Sequence, residues 1–358
     1  MVYLKLSSKI RWLAGLNPAE DYEQWTKVMK IDIMVVLALV LLQSKKHIFA
    51  VLLVCVGSLA LLGVKGGIFT LLTGGSYRVW GPPDSFISGN NEFALALVMV
   101  IPLLRFFQQQ LTSALARLGL AASMVLCSAA ALGSQSRGAL LAMSAMVITL
   151  WWRGTNKLRM GFLLAIAALP LIQFMPQEWS DRMSTINNYE EDRSAMGRIS
   201  AWWTAWRIAL HYPLGVGFDQ VRPELFARFS PYPDFIHAAH SIYFQVLGNH
   251  GFVGLFLFLG IWWSTWRIAE GLRTQTVPDP QAQWTADLGA MCQVSLVGYA
   301  VGGAFLSLAY FDLPYNLLVV VVLTKAWVDH KAWQTEPTAA QGWKTPALWR
   351  TSESGRGA

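Results

Sequence analysis

A succession of apolar runs, most of them close to the length that crosses a lipid bilayer, limits what this chain can fold into. Inside a bilayer a helix satisfies its own backbone hydrogen bonds, so these runs predict an all-α fold. We therefore predict a polytopic transmembrane helix bundle of about eight or nine spans. The first run is short and fits either a tilted crossing or an interfacial helix. The runs cover residues 31–42, 48–64, 93–107, 115–132, 139–152, 161–175, 242–263, 288–309 and 317–327.

The composition supports a membrane protein. The chain is 54% hydrophobic and 14% charged, whereas soluble domains carry roughly 25% charged residues. Its net charge of +7 fits Lys and Arg in cytoplasmic loops better than it fits a nucleic-acid partner. We therefore predict contact with membrane lipids and no nucleic-acid binding.

Basic residues between the runs indicate which ends of the helices share a side. Lys45 and Lys46, the stretches 153–159 and 267–273, and the pair Lys325 and Lys331 all fall on one side when the runs are counted as crossings. The excess of Lys and Arg marks that side as cytoplasmic.

The longest polar interruption divides the chain into its predicted parts. Residues 1–30 form an amphipathic, basic N-terminal segment, residues 31–329 a transmembrane domain, and residues 330–358 a polar cytoplasmic tail without fixed structure. Within the domain, residues 177–240 form a large external loop that contains amphipathic helices. A long loop in a compact domain is often functional, so we expect the site there.

Three polar features share the predicted external side: the large external loop, the glycine- and proline-rich stretch 65–91, and the short turn that ends at Arg137. Their common side predicts a single site at that face of the bundle.

Two arginines stand out as ligands for an anion. Arg137 lies where two apolar runs meet, a position at which an arginine more often reaches toward lipid headgroups. Arg198 opens a tryptophan-rich segment in which Arg198, Trp202, Trp206 and Ala209 share one helical face. That segment is typical of an interfacial helix, and Arg198 would add a bidentate grip on phosphate.

His240 is the candidate for proton transfer. It lies at the aqueous end of an apolar run, beside a basic loop, and histidine exchanges protons near neutral pH. His237, predicted to lie one helical turn away, is the competing candidate. Lys65 and Arg78 are further cations on the same side.

The sequence lacks the motifs of several other kinds of active site. The sequence has no HExxH, P-loop or GxSxG motif and no external Asp-x-Asp pair. We predict no metal and no cofactor, although spacing alone leaves a catalytic pair of carboxylates open.

With these residues assembled, the chain resembles the O-antigen ligase and polymerase superfamily between about residues 115 and 259. Its N-terminal third resembles a narrower group, the O-glycosylation ligases associated with exosortase A systems, whose members carry further transmembrane helices ahead of this segment. The chain is therefore expected either to be shortened at its N-terminus or to have a misassigned start. The matching pieces are Ser136-Arg137-Gly138-Ala139-Leu140-Leu141, Gly197-Arg198 with Trp202, Pro213 to Phe218, and His240 to Gly251, and in the N-terminal third Asn17-Pro18 to Trp25, Val64 to Gly67, and Gly74-Gly75 to Asn91.

The resemblance implies an activity and a location. Members transfer a glycan from an undecaprenyl-diphosphate carrier to an acceptor on the periplasmic side of the bacterial inner membrane. Carried over to matching positions, Arg137 and Arg198 hold the diphosphate and His240 acts as base or orients the acceptor, with Arg222 as a weaker diphosphate ligand. A polymerase that extends the glycan on its carrier, a transporter of the same lipid and an inactive partner subunit are the alternatives.

Overall fold

The computed structural model of the chain describes residues 18–154, 193–275 and 279–334. In these ranges it contains ten α-helices and two short 3₁₀ turns, Pro280–Ala282 and Ala332–Gln334, and no strand. The α-helices are α1 (Pro18–Leu41), α2 (Lys45–Leu72), α3 (Asn90–Gln110), α4 (Ala114–Gly133), α5 (Arg137–Arg153), α6 (Arg193–His211), α7 (Pro223–Phe229), α8 (Ile242–Thr274), α9 (Gln283–Gly303) and α10 (Asp312–Asp329).

The fold is that of an all-α polytopic membrane protein, as predicted. Four of the described helices, α2, α3, α4 and α8, are long and apolar enough to cross a membrane. A helix covers most of every other predicted run except 161–175. That run and the tail beyond residue 334 lie outside the described residues. The total of eight or nine spans stays a prediction.

Helix α3 forms the centre of the bundle. The side chains from Phe93 to Leu104 are almost completely buried on all sides. A helix that is apolar around its whole circumference is either enclosed by other helices or surrounded by lipid, and the burial of α3 shows that other helices enclose it. On α9, the Ser295 hydroxyl donates to the Met99 carbonyl across 2.8 Å, so a polar side chain is accommodated in this core.

The predicted end of the second run at Val64 is wrong, because α2 continues to Leu72. Lys65 therefore lies on the exposed face of a helix, about two turns before its end. The adjacent glycine explains the difference: a Cβ on Gly67 would stand 2.2 Å from the Leu126 carbonyl oxygen of α4. The glycine that looked like a helix breaker permits two helices to approach closely.

Helix α1 and the cap of α3 also differ from expectation. Helix α1 continues through the boundary that we placed at residue 30. At the start of α3 the sequence predicts a cap at Asn90 or Asn91, but Gly89 is the N-cap residue. The Asn90 amide instead donates to the Ser134 carbonyl across 2.8 Å, which ties the start of α3 to the turn between α4 and α5.

Helix α8 is broken at Gly251, whose backbone is left-handed and non-helical (φ 65°, ψ −165°). The break removes the helical partners of nearby carbonyl groups. The 212–218 turn supplies replacements, because Val216 N–H donates to Gly248 O (3.2 Å) and Gly217 N–H donates to Asn249 O (2.9 Å). An irregular backbone at membrane depth is stable only with such substitutes, so the turn and the break form one unit.

Replacing Gly251 with alanine is therefore expected to destabilise the protein. The left-handed backbone disfavours a side chain by about 1–3 kcal/mol, and the added Cβ would stand 1.9 Å from the Pro213 carbonyl oxygen. Gly260 on the same helix is the matched control, because a Cβ there meets nothing within 4 Å. Thermal unfolding of the purified protein checks this, and equal melting temperatures for the two variants would contradict it.

The basic residues predicted to share a side do meet at one end of the bundle. The Lys45 ammonium lies 5.2 Å from the Trp284 ring centroid, and the Arg153 guanidinium lies 5.5 Å from the ring of Trp266. The starts of α2 and α9 therefore adjoin one another, and so do the end of α5 and the last part of α8. We call this the basic end of the bundle.

Candidate active site

The polar loops gather at the opposite end, which we call the site end. Val79 N–H donates to the Gly133 carbonyl across 3.2 Å and ties the 73–89 loop to the end of α4. Gln245 near the start of α8 accepts from Ala309 N–H across 3.2 Å, in the connection between α9 and α10. The 73–89 loop, the turn that ends at Arg137 and the described part of the large external loop, residues 193–240, thus lie at one end of the bundle.

Arg198, His237 and His240 form the first cluster at this end. A Cβ on Gly197 would stand 3.0 Å from the His237 ring, so His237 packs against α6 directly beside Arg198. The rings of His237 and His240 lie 4.9 Å apart. The three cationic or titratable side chains predicted from the large external loop are therefore neighbours.

The segment before α8 is not helical, so the prediction that His237 and His240 are related by a helical turn is wrong. Their proximity comes from a bent backbone in which His240 is left-handed (φ 41°). Such a conformation costs a residue other than glycine about 1–3 kcal/mol and persists only where neighbouring contacts impose it. Here the Trp202 indole donates to the Ala239 carbonyl across 2.7 Å.

The tryptophans of α6 pack on α8. The Trp202 ring stacks on Phe244 at 5.1 Å, and the Trp206 ring meets Phe252 edge-on at 5.4 Å. The predicted shared face of Arg198, Trp202 and Trp206 thus holds α6 against α8. Trp203 is half exposed on this helix and leaves part of its surface for the membrane interface.

His240 is electrically neutral at physiological pH. Burial, followed by repulsion from His237 and from Arg198, lowers the pKa of His240 to about 4. Its Nδ1 atom is buried and accepts no hydrogen bond from the described residues. A neutral imidazole has a lone pair that can accept a proton.

Arg78 and Arg137 lie at a second cluster, built on the turn between α4 and α5. The turn residues Ser134, Gln135 and Ser136 are buried. Arg78 Nε donates to the Gln135 side chain across 3.3 Å, and Arg137 begins α5 two residues further on. Arg137 is half-buried at the mouth of the bundle, as the short turn predicted.

Glu92 lies between the two clusters, and sequence reasoning did not identify it. It is in the first turn of α3, next to the Asn90 that is bonded to the α4–α5 turn, and its carboxylate interacts electrostatically with Arg198. In sequence Glu92 resembles an ordinary N-terminal helix residue. Its proximity to Arg198 arises from the fold, which a local motif does not encode.

Arg222 is paired with Asp219, which lines a cavity of about 350 Å³ at the site end. Arg222 is the N-cap residue of α7, and its Nε lies 3.0 Å from a carboxylate oxygen of Asp219. Asp219 lines the cavity together with Phe218, Gln245 and Tyr310. Behind this wall, the Tyr310 hydroxyl is hydrogen-bonded to His250 Nε2 (2.9 Å) and accepts from the Asn249 amide (3.0 Å).

Lys65 is not brought into these clusters, since it lies on the outer face of α2. Among residues 18–154, 193–275 and 279–334, no three His, Cys, Asp or Glu side chains are grouped so as to hold a metal ion. The polar groups of the site are thus cations, histidines, neutral amides and isolated carboxylates.

These features define a polytopic membrane protein with a basic and histidine-containing site where its loops meet one end of the helix bundle. Residues 122–259 match the family model described as O-antigen ligase. Residues 1–112 match a family of unknown function. No curated protein matches the chain. The O-antigen ligase match includes Arg137, Arg198, Arg222, His237 and His240, and it confirms the resemblance to the O-antigen ligase superfamily found from the motifs.

Proposed function

We propose that this protein is a membrane glycosyltransferase of the ligase type, which moves a glycan from an undecaprenyl-diphosphate carrier to a hydroxyl group of an acceptor. The observation that carries the proposal is the packing of Arg198, His237 and His240 at the site end, with His240 kept neutral beside fixed positive charge. A guanidinium and a neutral imidazole are the groups that a diphosphate leaving group and an alcohol nucleophile require.

In this proposal the arginines bind the diphosphate. The acceptor oxygen attacks the anomeric carbon of the glycan, the bond from that carbon to the diphosphate oxygen breaks, and undecaprenyl diphosphate leaves with the bonding electron pair. Arg137 and Arg198 stabilise the negative charge that accumulates on the leaving group, since guanidinium groups grip phosphate oxygens bidentately. Arg222 is a weaker candidate, because Asp219 already neutralises it.

His240 takes the proton of the acceptor hydroxyl as the new glycosidic bond forms. Its low pKa makes it a weak base, so it acts by accepting the proton as the hydroxyl becomes acidic in the transition state. Together with burial, His237 lowers the pKa of His240 by charge repulsion, and its ring lies next to the His240 ring. Arginine side chains here have the charge-neutralising role that a metal ion has in other transferases.

We place the site at the periplasmic surface of the bacterial inner membrane. Support comes from the basic end of the bundle, which gathers Lys45 and Arg153 opposite to the site and would face the cytoplasm. The carrier, a membrane lipid, would then present its diphosphate where the loops and helix ends meet. A ligase and a polymerase differ in the acceptor alone, so the same site serves either. The narrower assignment to exosortase-associated ligases stays a prediction.

The pH dependence of transfer tests the role of His240. With a pKa of about 4, the imidazole is neutral above that pH, so its titration leaves the rate unchanged between about pH 5 and 8. Replacing His237 with glutamine removes a repelling charge and raises the pKa of His240. The fall in kcat/KM on the acid side is then expected at higher pH than in the wild type.

The measurement is glycan transfer by purified, reconstituted protein across this pH range. His211→Gln is the matched control, because this exposed histidine is bonded to Arg228 at the far end of α6. A wild-type rate that falls near pH 6.5, or identical profiles for His237→Gln and His211→Gln, would contradict the role given to His240.

A further inference from the structure

The cavity of about 350 Å³ at the site end has no role in the proton transfer or the diphosphate contacts described above. Residues from five separate segments line it: Gln24 from α1, Phe86 from the 73–89 loop, Asp219 from the large external loop, Gln245 from α8, and Ser307 from the α9–α10 connection. Its volume falls near the lower end of the range of about 300–1,000 Å³ found for small-ligand pockets. The fold thus builds a concave site from distant parts of the chain.

The polar lining suits a ligand with many hydroxyl groups. Gln24 and Gln245 carry amides, and Ser307 and Tyr310 carry hydroxyls. Gln24 and Ser307 can both donate and accept, whereas the Gln245 carbonyl oxygen and the Tyr310 hydroxyl already have partners in the protein. Asp219 adds a carboxylate, which accepts only. The lining, all within the described part of the chain, includes no Lys or Arg, so the cavity itself does not favour a phosphate.

An aromatic wall completes the lining. Phe86 and Phe218 both face the cavity, and the Phe218 ring is fixed by edge-on contacts with His250 (5.0 Å) and Tyr310 (5.2 Å). Pyranose rings combine a C–H surface, which packs on aromatic rings, with a rim of hydroxyls. Both surfaces of such a ring have counterparts in this cavity.

The hydrogen-bonding groups are held in place from behind. Tyr310 is fixed by Asn249, which is 1% exposed, and by His250. Gln245 uses its carbonyl oxygen to accept from Ala309 N–H, which orients the amide that lines the cavity. Side chains locked by a second layer of contacts are pre-organised for a ligand.

We propose that this cavity binds one uncharged sugar ring of the glycan. The proposal rests on the proposed function, because it assigns the glycan a place beside Arg222, the weaker of the proposed diphosphate ligands. The position follows from Asp219, which lines the cavity while its carboxylate pairs with Arg222. The ring is either the first sugar of the carrier-linked glycan or a sugar of the acceptor, and both present the same chemistry.

The test fills the cavity and compares ligands with and without sugar. Ser307→Leu places an apolar side chain among the hydroxyl-binding groups. Ser144→Leu is the matched control, since Ser144 is exposed on α5 and its hydroxyl donates to the Leu140 carbonyl of the same helix. Binding of undecaprenyl diphosphate and of its glycan-linked form is measured with purified full-length protein in lipid nanodiscs. Saturation-transfer NMR with methyl glycosides of neutral hexoses reports the free sugar.

We expect Ser307→Leu to weaken binding of a sugar-containing ligand by about tenfold or more, because buried hydroxyls lose their partners, and to leave sugar-free undecaprenyl diphosphate unaffected. Weaker binding of the glycan-linked carrier assigns the cavity to the donor sugar. Weaker binding of methyl glycoside with unchanged binding of that carrier assigns it to the acceptor.

Equal weakening of all ligands, or of none, overturns the sugar site. If Ser307→Leu does not fold, Gln24→Ala removes one lining amide from α1 and is judged by the same comparison. These readouts do not depend on catalysis. Sugar-dependent binding by a wild-type protein that transfers nothing would retain the sugar site and overturn the proposed function instead.

Discussion

Replacing Arg198 with alanine is expected to abolish glycan transfer, with turnover lowered by a factor of about 10²–10³ or more, the usual cost of removing one charge-stabilising donor. The guanidinium lies beside His237 and His240, where negative charge on the departing diphosphate would develop. Arg137→Ala is expected to have the same effect from the other cluster. Neither change removes an apolar contact of the core, so insertion into the membrane is expected to stay intact.

The controls separate a specific role from general loss of positive charge. Arg228→Ala removes an exposed arginine of the large external loop that contacts His211 and Phe229, and transfer is expected to continue. Arg198→Lys keeps the charge but loses the planar fork, so partial activity is expected. Normal transfer by Arg198→Ala or by Arg137→Ala would overturn the assignment of these arginines to the diphosphate.

Removing the His240 imidazole is expected to stop turnover while the carrier lipid still binds. General bases contribute about 10²–10⁴-fold to rate, and the diphosphate contacts come from other residues. Asparagine is the better replacement, because His240 has a left-handed backbone (φ 41°) that asparagine tolerates. The His240→Ala variant tests whether that backbone matters by itself.

Two measurements are needed for the His240 variants: single-turnover transfer, and binding of undecaprenyl diphosphate. Loss of transfer with unchanged binding supports a base. Loss of binding in both His240→Asn and His240→Ala would make His240 a substrate anchor and would leave the base unidentified.

Sequence alone predicted the features that depend on local pattern. The apolar runs specify helices, since length and hydropathy decide which segments can cross a bilayer. The distribution of Lys and Arg predicted which helix ends meet, and contacts such as Lys45 with Trp284 agree with it. Arg198 and His240 were predicted as partners because both belong to one polar interruption, and they are close in the structure.

The features that sequence missed depend on contacts between distant segments. Lys65-Gly66-Gly67 was interpreted as the start of a loop, because glycine disfavours an isolated helix. In the structure these residues are helical, and the close packing of α2 on Leu126 requires a glycine at position 67. Asn90 was interpreted as a candidate helix cap, but its amide donates to the Ser134 carbonyl. The break at Gly251 was not predicted, because it lies inside residues 242–263, a run long enough and apolar enough overall to be interpreted as one continuous helix.

The cavity was equally hidden. Gln24, Gln245 and Ser307 are ordinary polar residues in their local sequence, and only the fold brings them to one concave surface. Glu92 gains its position near Arg198 in the same way. A site assembled from five segments has no continuous sequence motif, so its residues are identified only from the fold.

The account is tested most directly by reconstituting the purified protein with an undecaprenyl-diphosphate-linked glycan and candidate acceptors, lipid, protein or polysaccharide, with and without a metal chelator. We expect one molecule of undecaprenyl diphosphate to be released for each glycan transferred, at the same rate in chelator. A glycan-linked carrier that stays intact with every acceptor, or transfer that stops in chelator, would contradict the proposal that arginines and His240 carry out the reaction.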